Sequence, residues 1–203
     1  MAKKQTILYF GSFNPVHIGH LAIANYMLLA EPEAEMWLVV SPHNPFKEGA
    51  VLADGRQRLE MARLAVAGSG LEDRLKVCDA EFGLPQPSYT VHTLRRLWTD
   101  CPDREFSLLM GADNAAEVGK WKESAVILDR CRIFVYPRSG EAPEPTGGLS
   151  AGNFVRLAEA PLLDISSTRL REWLAEGAPV PALLPPGVYA YIVKHGLYGT
   201  AGK

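Results

Sequence analysis

Residues 10–20 read Phe-Gly-Ser-Phe-Asn-Pro-Val-His-Ile-Gly-His and follow directly on the apolar run Thr6-Ile7-Leu8-Tyr9-Phe10. A buried strand, a glycine-bearing turn and two histidines at the mouth of a helix build an anion site from backbone and side chains together. The helix that opens here leaves its first N–H groups unpaired, and the positive end of its dipole faces the loop. Gly11 is expected to let the chain turn where a side chain would collide, and Gly19 to leave room for a ligand against the backbone. His17 and His20 are three residues apart, so both can point to one side of the first turn. Phosphate binding at a reaction centre is the chemistry these residues suit. Zinc would need further ligands, and no cysteine or carboxylate sits at matching spacing nearby.

A second anion cradle opens a late helix at Ile165-Ser166-Ser167-Thr168-Arg169-Leu170-Arg171. Ser166 or Ser167 can cap it, and Arg171 lies one turn on from Ser167. Two such helix N-termini suit a triphosphate held between them. Three further segments follow strand-like runs. In Ser41-Pro42-His43-Asn44-Pro45-Phe46-Lys47, two prolines stiffen a loop that carries a mobile cation, with Arg56 and Arg58 beyond it. In Pro87-Ser88-Tyr89-Thr90, Ser88 can cap a helix and leave amide donors at its start. In Gly111-Ala112-Asp113-Asn114, Gly111 permits close approach. Asp113 is suited to accept from ribose hydroxyls or to cap a helix. Trp121 offers a broad π face for a ring, or a large side chain for the core. Arg138 is a weaker phosphate candidate.

These segments need a scaffold that gathers them. Candidate strands are residues 6–10, 35–41, 75–80, 106–110 and 132–136, with a weaker one at 154–157. Candidate helices cover 18–30, 54–67, 89–99, 124–129, 167–175 and 187–194. Alternating strands and helices argue for βαβ units. The expected fold class is α/β: a Rossmann-like, doubly wound, mostly parallel sheet of five or six strands with helices on both faces. Residues 1–203 read as a single domain with the 165–171 segment in its C-terminal helical part. The Gly-, Pro- and Ser-rich stretch 139–152 reads as an exposed loop. In such sheets ligands bind outside the carboxyl ends of the strands, where the strand order reverses.

The 203 residues carry a net charge of −2 and 47% hydrophobic content. That balance gives no global reason to bind nucleic acid or an anionic membrane, so attraction for phosphates must be local. No apolar run is long enough to cross a bilayer, and the N-terminus leads into a strand rather than a signal peptide. Cys78, Cys101 and Cys131 lack a CxxC spacing. They fit reduced packing thiols and a cytoplasmic protein.

His17-Ile18-Gly19-His20 resembles the signature of the nucleotidyltransferase superfamily that carries a His/Thr-x-Gly-His motif. Over nearly its full length the chain resembles bacterial nicotinate-nucleotide adenylyltransferases. Pro42, His43, Pro45 and Lys47 match that family's Pro-His-x-Pro-x-Lys loop. Ser88, Thr90, Thr93 and Leu94 match its Ser-x-Thr-x-x-Thr-Leu segment, although His92 stands where Asp is commoner. Gly111, Asp113 and Trp121 match its Gly-x-Asp followed by Trp, with Gly119, Lys120 and Lys122 departing from patterns that place further aromatics here. Ile165, Ser166, Thr168 and Arg171 match its Ile-Ser-x-Thr-x-x-Arg segment. The resemblance implies adenylyl transfer from ATP to nicotinate mononucleotide, with Mg²⁺ carried on the ATP and no metal ligated by the protein. It implies catalytic roles for His17, His20 and Lys47. ATP is expected at Gly11, Ser12, Phe13, His17, Gly19, His20, Gly111, Asp113, Ile165, Ser166, Ser167, Thr168 and Arg171. The acceptor is expected at Asn14, His43, Lys47, Ser88, Tyr89, Thr90, Trp121 and Arg138. Another small adenylyl- or cytidylyltransferase, or a non-catalytic nucleotide sensor, is the alternative.

Overall fold

Strand β1 (Lys4–Gly11) is the centre of a six-stranded sheet with β2 (Glu35–Val40), β3 (Leu75–Cys78), β4 (Arg104–Gly111), β5 (Ile133–Tyr136) and β6 (Phe154–Arg156). The computed structural model describes residues 3–42, 52–137 and 153–201. His43, Lys47, Arg138 and the 139–152 loop, all singled out above, lie outside the described residues. The strand order is β3-β2-β1-β4-β5-β6, and every pairing is parallel. The order reverses between β1 and β4, which opens a crevice at their carboxyl ends.

Among the described residues there are seven α-helices, five between strands and two after the last: α1 (Ile18–Ala30), α2 (Gly55–Ala67), α3 (Thr90–Asp100), α4 (Ala112–Glu117), α5 (Ser124–Arg130), α6 (Ser167–Glu176) and α7 (Pro186–Lys194). Side chains alternate across a strand, so each strand feeds two layers. Ile7 and Tyr9 of β1 and Met36, Leu38 and Val40 of β2 pack with α1, α2, α6 and α7 on one face. Leu8 and Val39 face the other way and pack with Val91, Leu94 and Leu97 of α3 and Ile127 of α5.

Most bounds agree with the periodicity, and α1 coincides with its expected range. The third strand is shorter than expected: Asp79 opens a turn in which its carbonyl accepts from Phe82 N–H at 2.9 Å, and a single 3₁₀ turn covers Ala80–Gly83. Helix α4 is absent from the candidate ranges, although Asp113 was read as a possible cap for a helix here. It is only six residues long, too short for a periodic stripe to show. At the opposite end of the sheet from the crevice, Glu35 receives Lys4, Arg104 and the Trp37 indole. Burial alone would raise its pKa; the hydrogen bonds from Lys4 and Arg104 outweigh this and hold it at about 2.

Candidate active site at the sheet switch point

The turn after β1 is under backbone constraint. Phe13 has φ 44°, in the left-handed region that a non-glycine residue seldom adopts, and the Asn14–Pro15 peptide is cis. Three distant segments tie this turn down. Asn14 Oδ1 accepts from Ala53 N–H at 3.0 Å and from Tyr198 O–H at 2.7 Å. Asn14 O accepts from Arg171 Nη1 at 2.8 Å, and Pro15 O accepts from Ser167 Oγ at 3.0 Å. Burial pushes the Tyr198 phenol up despite the nearby Arg171 and Arg58 cations, so it stays a hydrogen-bond donor. The first cradle and the second, 150 residues apart in sequence, are thus joined by direct bonds.

Both histidines stand at the α1 N-terminus. His17 is the N-cap and is 5% exposed. Its ring lies 3.8 Å from that of His20, centroid to centroid, tilted by 34°. The His17 backbone N–H donates to His20 Nδ1 at 3.1 Å. A neutral imidazole accepting at Nδ1 carries its proton on Nε2, so the His20 tautomer is set by the backbone. Phe13 packs edge-on against His20 at 5.1 Å and against Tyr9 at 5.7 Å, which holds the imidazole in place.

Both glycines make room for this packing and line the cavity as well. A Cβ on Gly19 would meet His17 Nδ1 at 2.9 Å, so the missing side chain makes room for the His17 ring. A Cβ on Gly11 would meet the Phe13 ring at 2.9 Å, while Gly11 is absent from the positive-φ glycines and needs no unusual turn.

Arg58 is where the sequence reading went most astray. Read as one of the basic residues trailing the Lys47 loop, it is instead 0% exposed. Its guanidinium donates to Ala53 O at 2.9 Å, Ser12 O at 2.6 Å, Ser41 O at 2.7 Å and Pro42 O at 2.6 Å. Burial draws its pKa down, with Tyr198 and Asp54 opposing, but a guanidinium starts too high to lose its proton. It fastens the loop after β1 to the loop after β2 by their carbonyls. Arg58 also heads the apolar stripe of α2 with Met61, Ala62 and Ala65. That position on the buried face was the available signal.

Ser88 likewise differs from expectation. Tyr89 is the α3 N-cap, and Ser88 Oγ donates to Glu81 Oε2 at 2.7 Å. Thr93 Oγ1 reaches Glu81 Oε1 at 3.0 Å, and Ser41 adds a third hydroxyl. Burial pushes the Glu81 carboxyl up and the three hydroxyls pull it back. Glu81, missed in the sequence, anchors the turn leading into α3; its partners are too scattered along the chain for any spacing rule to find. Asp113 lies in the first turn of α4, behind the N-cap Gly111. Ser166 caps α6 by accepting from Arg169 N–H at 3.2 Å. Arg171 Nη2 reaches Thr168 Oγ1 at 3.3 Å.

A cavity of about 1040 Å³ runs across the carboxyl edge of the sheet. One wall carries His17, Gly19, His20, Ile165, Ser166, Ser167, Thr168 and Arg171. The other carries Glu81, Ser88, Tyr89, Thr90, Trp121 and Lys122, while Gly11, Ser12, Phe13, Gly111 and Asp113 line it between. The walls belong to opposite faces of the sheet, as the core assignments of Phe13 and Ile165 against Tyr89 and Trp121 require. Asn14 is not among the lining residues and is 1% exposed; its side-chain oxygen is spent on Ala53 and Tyr198. A volume of this size stands at the upper end of the range usual for small-molecule and cofactor sites.

Residues 8–173 match the cytidylyltransferase-like family model. A protein of Flavobacterium johnsoniae is 45% identical over 193 residues, covering 94% of this chain and 97% of its own. One of Bacteroides fragilis is 44% identical over 194 residues, covering 96% and 94%. Both carry the name "probable nicotinate-nucleotide adenylyltransferase". Among solved structures, the nicotinic acid mononucleotide adenylyltransferase of Plasmodium falciparum complexed with NaAD superposes with a TM-score of 0.76 at 18% identity. That alignment covers 98% of this chain and 100% of the other, and it bears on the fold alone. With a family model spanning most of its length and near-full-length relatives well above chance identity, the chain belongs to the cytidylyltransferase-like family and, within it, to the nicotinate-nucleotide adenylyltransferases.

Proposed function

We propose that the protein transfers the adenylyl group of ATP to nicotinate mononucleotide, releasing pyrophosphate and forming deamido-NAD in NAD biosynthesis. The observation that carries this reading is the bonded junction of the two cradles. Ser167 and Arg171 of α6 hold the Asn14–Pro15 turn that leads into His17 and His20. The polyphosphate of ATP lies along that junction. Its α-phosphorus sits near the histidines, and the acceptor reaches it from the α3 and Trp121 wall.

A phosphate oxygen of the mononucleotide attacks the α-phosphorus in line. The new P–O bond forms as the bond to the β-phosphate oxygen breaks, and pyrophosphate leaves with that electron pair. No covalent enzyme intermediate is needed, so the protein positions the reactants and stabilises charge. His20 Nε2–H donates to the transferring phosphoryl oxygen, and His17 supports it from the N-cap. Arg171 keeps guanidinium N–H groups beyond those bound to Asn14 and Thr168, and these meet the departing phosphates. Lys47 is proposed as a further cation for the polyphosphate. His43 and Arg138 are proposed to contact the mononucleotide.

Among the described residues no group of three or more His, Cys, Asp or Glu is placed to hold a metal ion. Mg²⁺ is accordingly proposed to arrive on ATP oxygens, where it neutralises the polyphosphate. No helix of the described residues is long and apolar enough to cross a membrane. We assign the reaction to the cytoplasm.

Trp121 tests the acceptor wall. It is half-buried beside Tyr89 and Thr90 in the lining of the cavity. Stacking on a ring contributes roughly 0.5–1.5 kcal/mol beyond area burial. Trp121→Ala should therefore raise the KM for nicotinate mononucleotide by about tenfold and leave that for ATP within about twofold. Steady-state kinetics with each substrate varied in turn checks this. A change confined to ATP would place the acceptor elsewhere.

A further inference from the structure

Beyond α7 the chain turns through three left-handed residues: Gly196 at φ 60°, Tyr198 at φ 54° and Gly199 at φ 79°. They surround or form a 3₁₀ turn at Leu197–Gly199. Glycine takes that conformation freely, and tyrosine does not. A bulky residue stays there only when its surroundings over-determine it. Thr200 Oγ1 ties the turn to α7 by donating to Ile192 O at 3.2 Å and to Leu197 O at 2.8 Å. Gly199 lies against α6, where an added Cβ would meet Ala175 Cα at 3.2 Å. Held by both helices, the turn aims the Tyr198 hydroxyl at Asn14 Oδ1, 2.7 Å away.

Asn14 follows Phe13, which is itself left-handed at φ 44°. Two strained residues, one in each segment, are therefore linked through a hydrogen bond that spans 184 positions of sequence. Phe13 packs edge-on against His20, with ring centroids 5.1 Å apart. The side chain of Asn14 thus takes the Tyr198 bond one residue away from the ring that braces the imidazole. Tyr198 does not line the cavity. Whatever it contributes to the reaction passes through the turn after β1.

We propose that Tyr198 is a positioning residue for adenylyl transfer: its hydroxyl, through Asn14 Oδ1, holds the Phe13–Asn14 turn so that Phe13 keeps His20 aimed at the transferring phosphate. This rests on the reading of the cavity as the site of that reaction. The effect falls on turnover rather than on binding. A hydrogen bond to a phosphoryl oxygen strengthens as charge develops there, while ground-state binding draws on the other contacts of both walls. A misplacement of about 1 Å caused by a remote change can cost on the order of 100-fold in rate.

Tyr198→Phe in the full-length protein keeps the ring and removes only the hydroxyl. It should lower kcat by about tenfold and leave the KM values for ATP and nicotinate mononucleotide each within about threefold. Asn14 Oδ1 still accepts from Ala53 N–H, so the variant should remain folded. In a His20→Ala background the same substitution should change kcat by less than about twofold, because the hydroxyl acts through that imidazole. Glu35→Gln weakens ion pairs at the far end of the sheet. It should lower the unfolding midpoint yet keep kcat within about twofold. An unchanged kcat in Tyr198→Phe would overturn the proposal. So would an equal loss with and without His20, or a similar loss in Glu35→Gln, which would make general destabilisation the cause. Failure of the unsubstituted protein to form a dinucleotide from ATP and nicotinate mononucleotide would overturn the functional reading beneath it, a separate result.

Discussion

Replacing His20 with alanine should slow turnover at saturating ATP by about 100- to 1000-fold, the loss found when one preorganised donor to a transition-state oxygen is removed. The size follows from how firmly the donor is aimed. His17 N–H fixes the His20 tautomer, Phe13 packs on its edge, and the His17 ring lies over its face. Such a donor needs no reorganisation as charge develops on the phosphoryl oxygens. His20 is half-buried at the α1 N-terminus, so its truncation should cost folding far less than it costs rate. Equal unfolding midpoints with collapsed kcat are the expected pair of measurements. Near-normal kcat would remove the histidines from the reaction.

The second large effect concerns stability. Arg58→Met fills most of the same volume but removes the four guanidinium hydrogen bonds to the carbonyls of Ser12, Ser41, Pro42 and Ala53. A buried acceptor left unpaired costs about 1–3 kcal/mol, and several are stranded at once. Even if water enters to reach some of them, unfolding free energy should fall by at least about 3 kcal/mol. That is a large share of the roughly 5–15 kcal/mol that holds a typical domain folded. Urea unfolding reads it as a lower midpoint at unchanged slope. Lysine should not rescue, since one ammonium cannot reproduce a planar fork that reaches four carbonyls. A loss below about 1 kcal/mol would mean that the clamp is not holding the loops.

The two residues mark the limit of what can be read from a chain of letters. His17 and His20 were legible because their partners are local: a strand, a turn and a helix start within fifteen residues. The parallel sheet and the extent of α1 were legible for the same reason, since hydrophobic period is a local property. Ser166 was legible as a cap because its acceptor role is served three residues on. Arg58 was not, because what decides its role is the meeting of Ser12, Ser41 and Ala53 in space. Its charge argued for the surface while its place in the α2 stripe argued for the interior; the four carbonyls settled it. Glu81 and Tyr198 are of the same kind. Ser88 was half right: it belongs to the start of α3, yet its hydroxyl serves a carboxylate rather than the helix. That a side chain would collide at Gly11 was legible, whereas the rings that need the space, Phe13 for Gly11 and His17 for Gly19, show only in the packing.

The most direct measurement follows the phosphorus. With ATP labelled at the α-phosphate, the protein and nicotinate mononucleotide should move all of the consumed label into the dinucleotide. With ATP labelled at the γ-phosphate, the label should appear only in pyrophosphate. Label from the γ-position in the nucleotide product, or release of inorganic phosphate in place of pyrophosphate, would contradict adenylyl transfer between these two cradles.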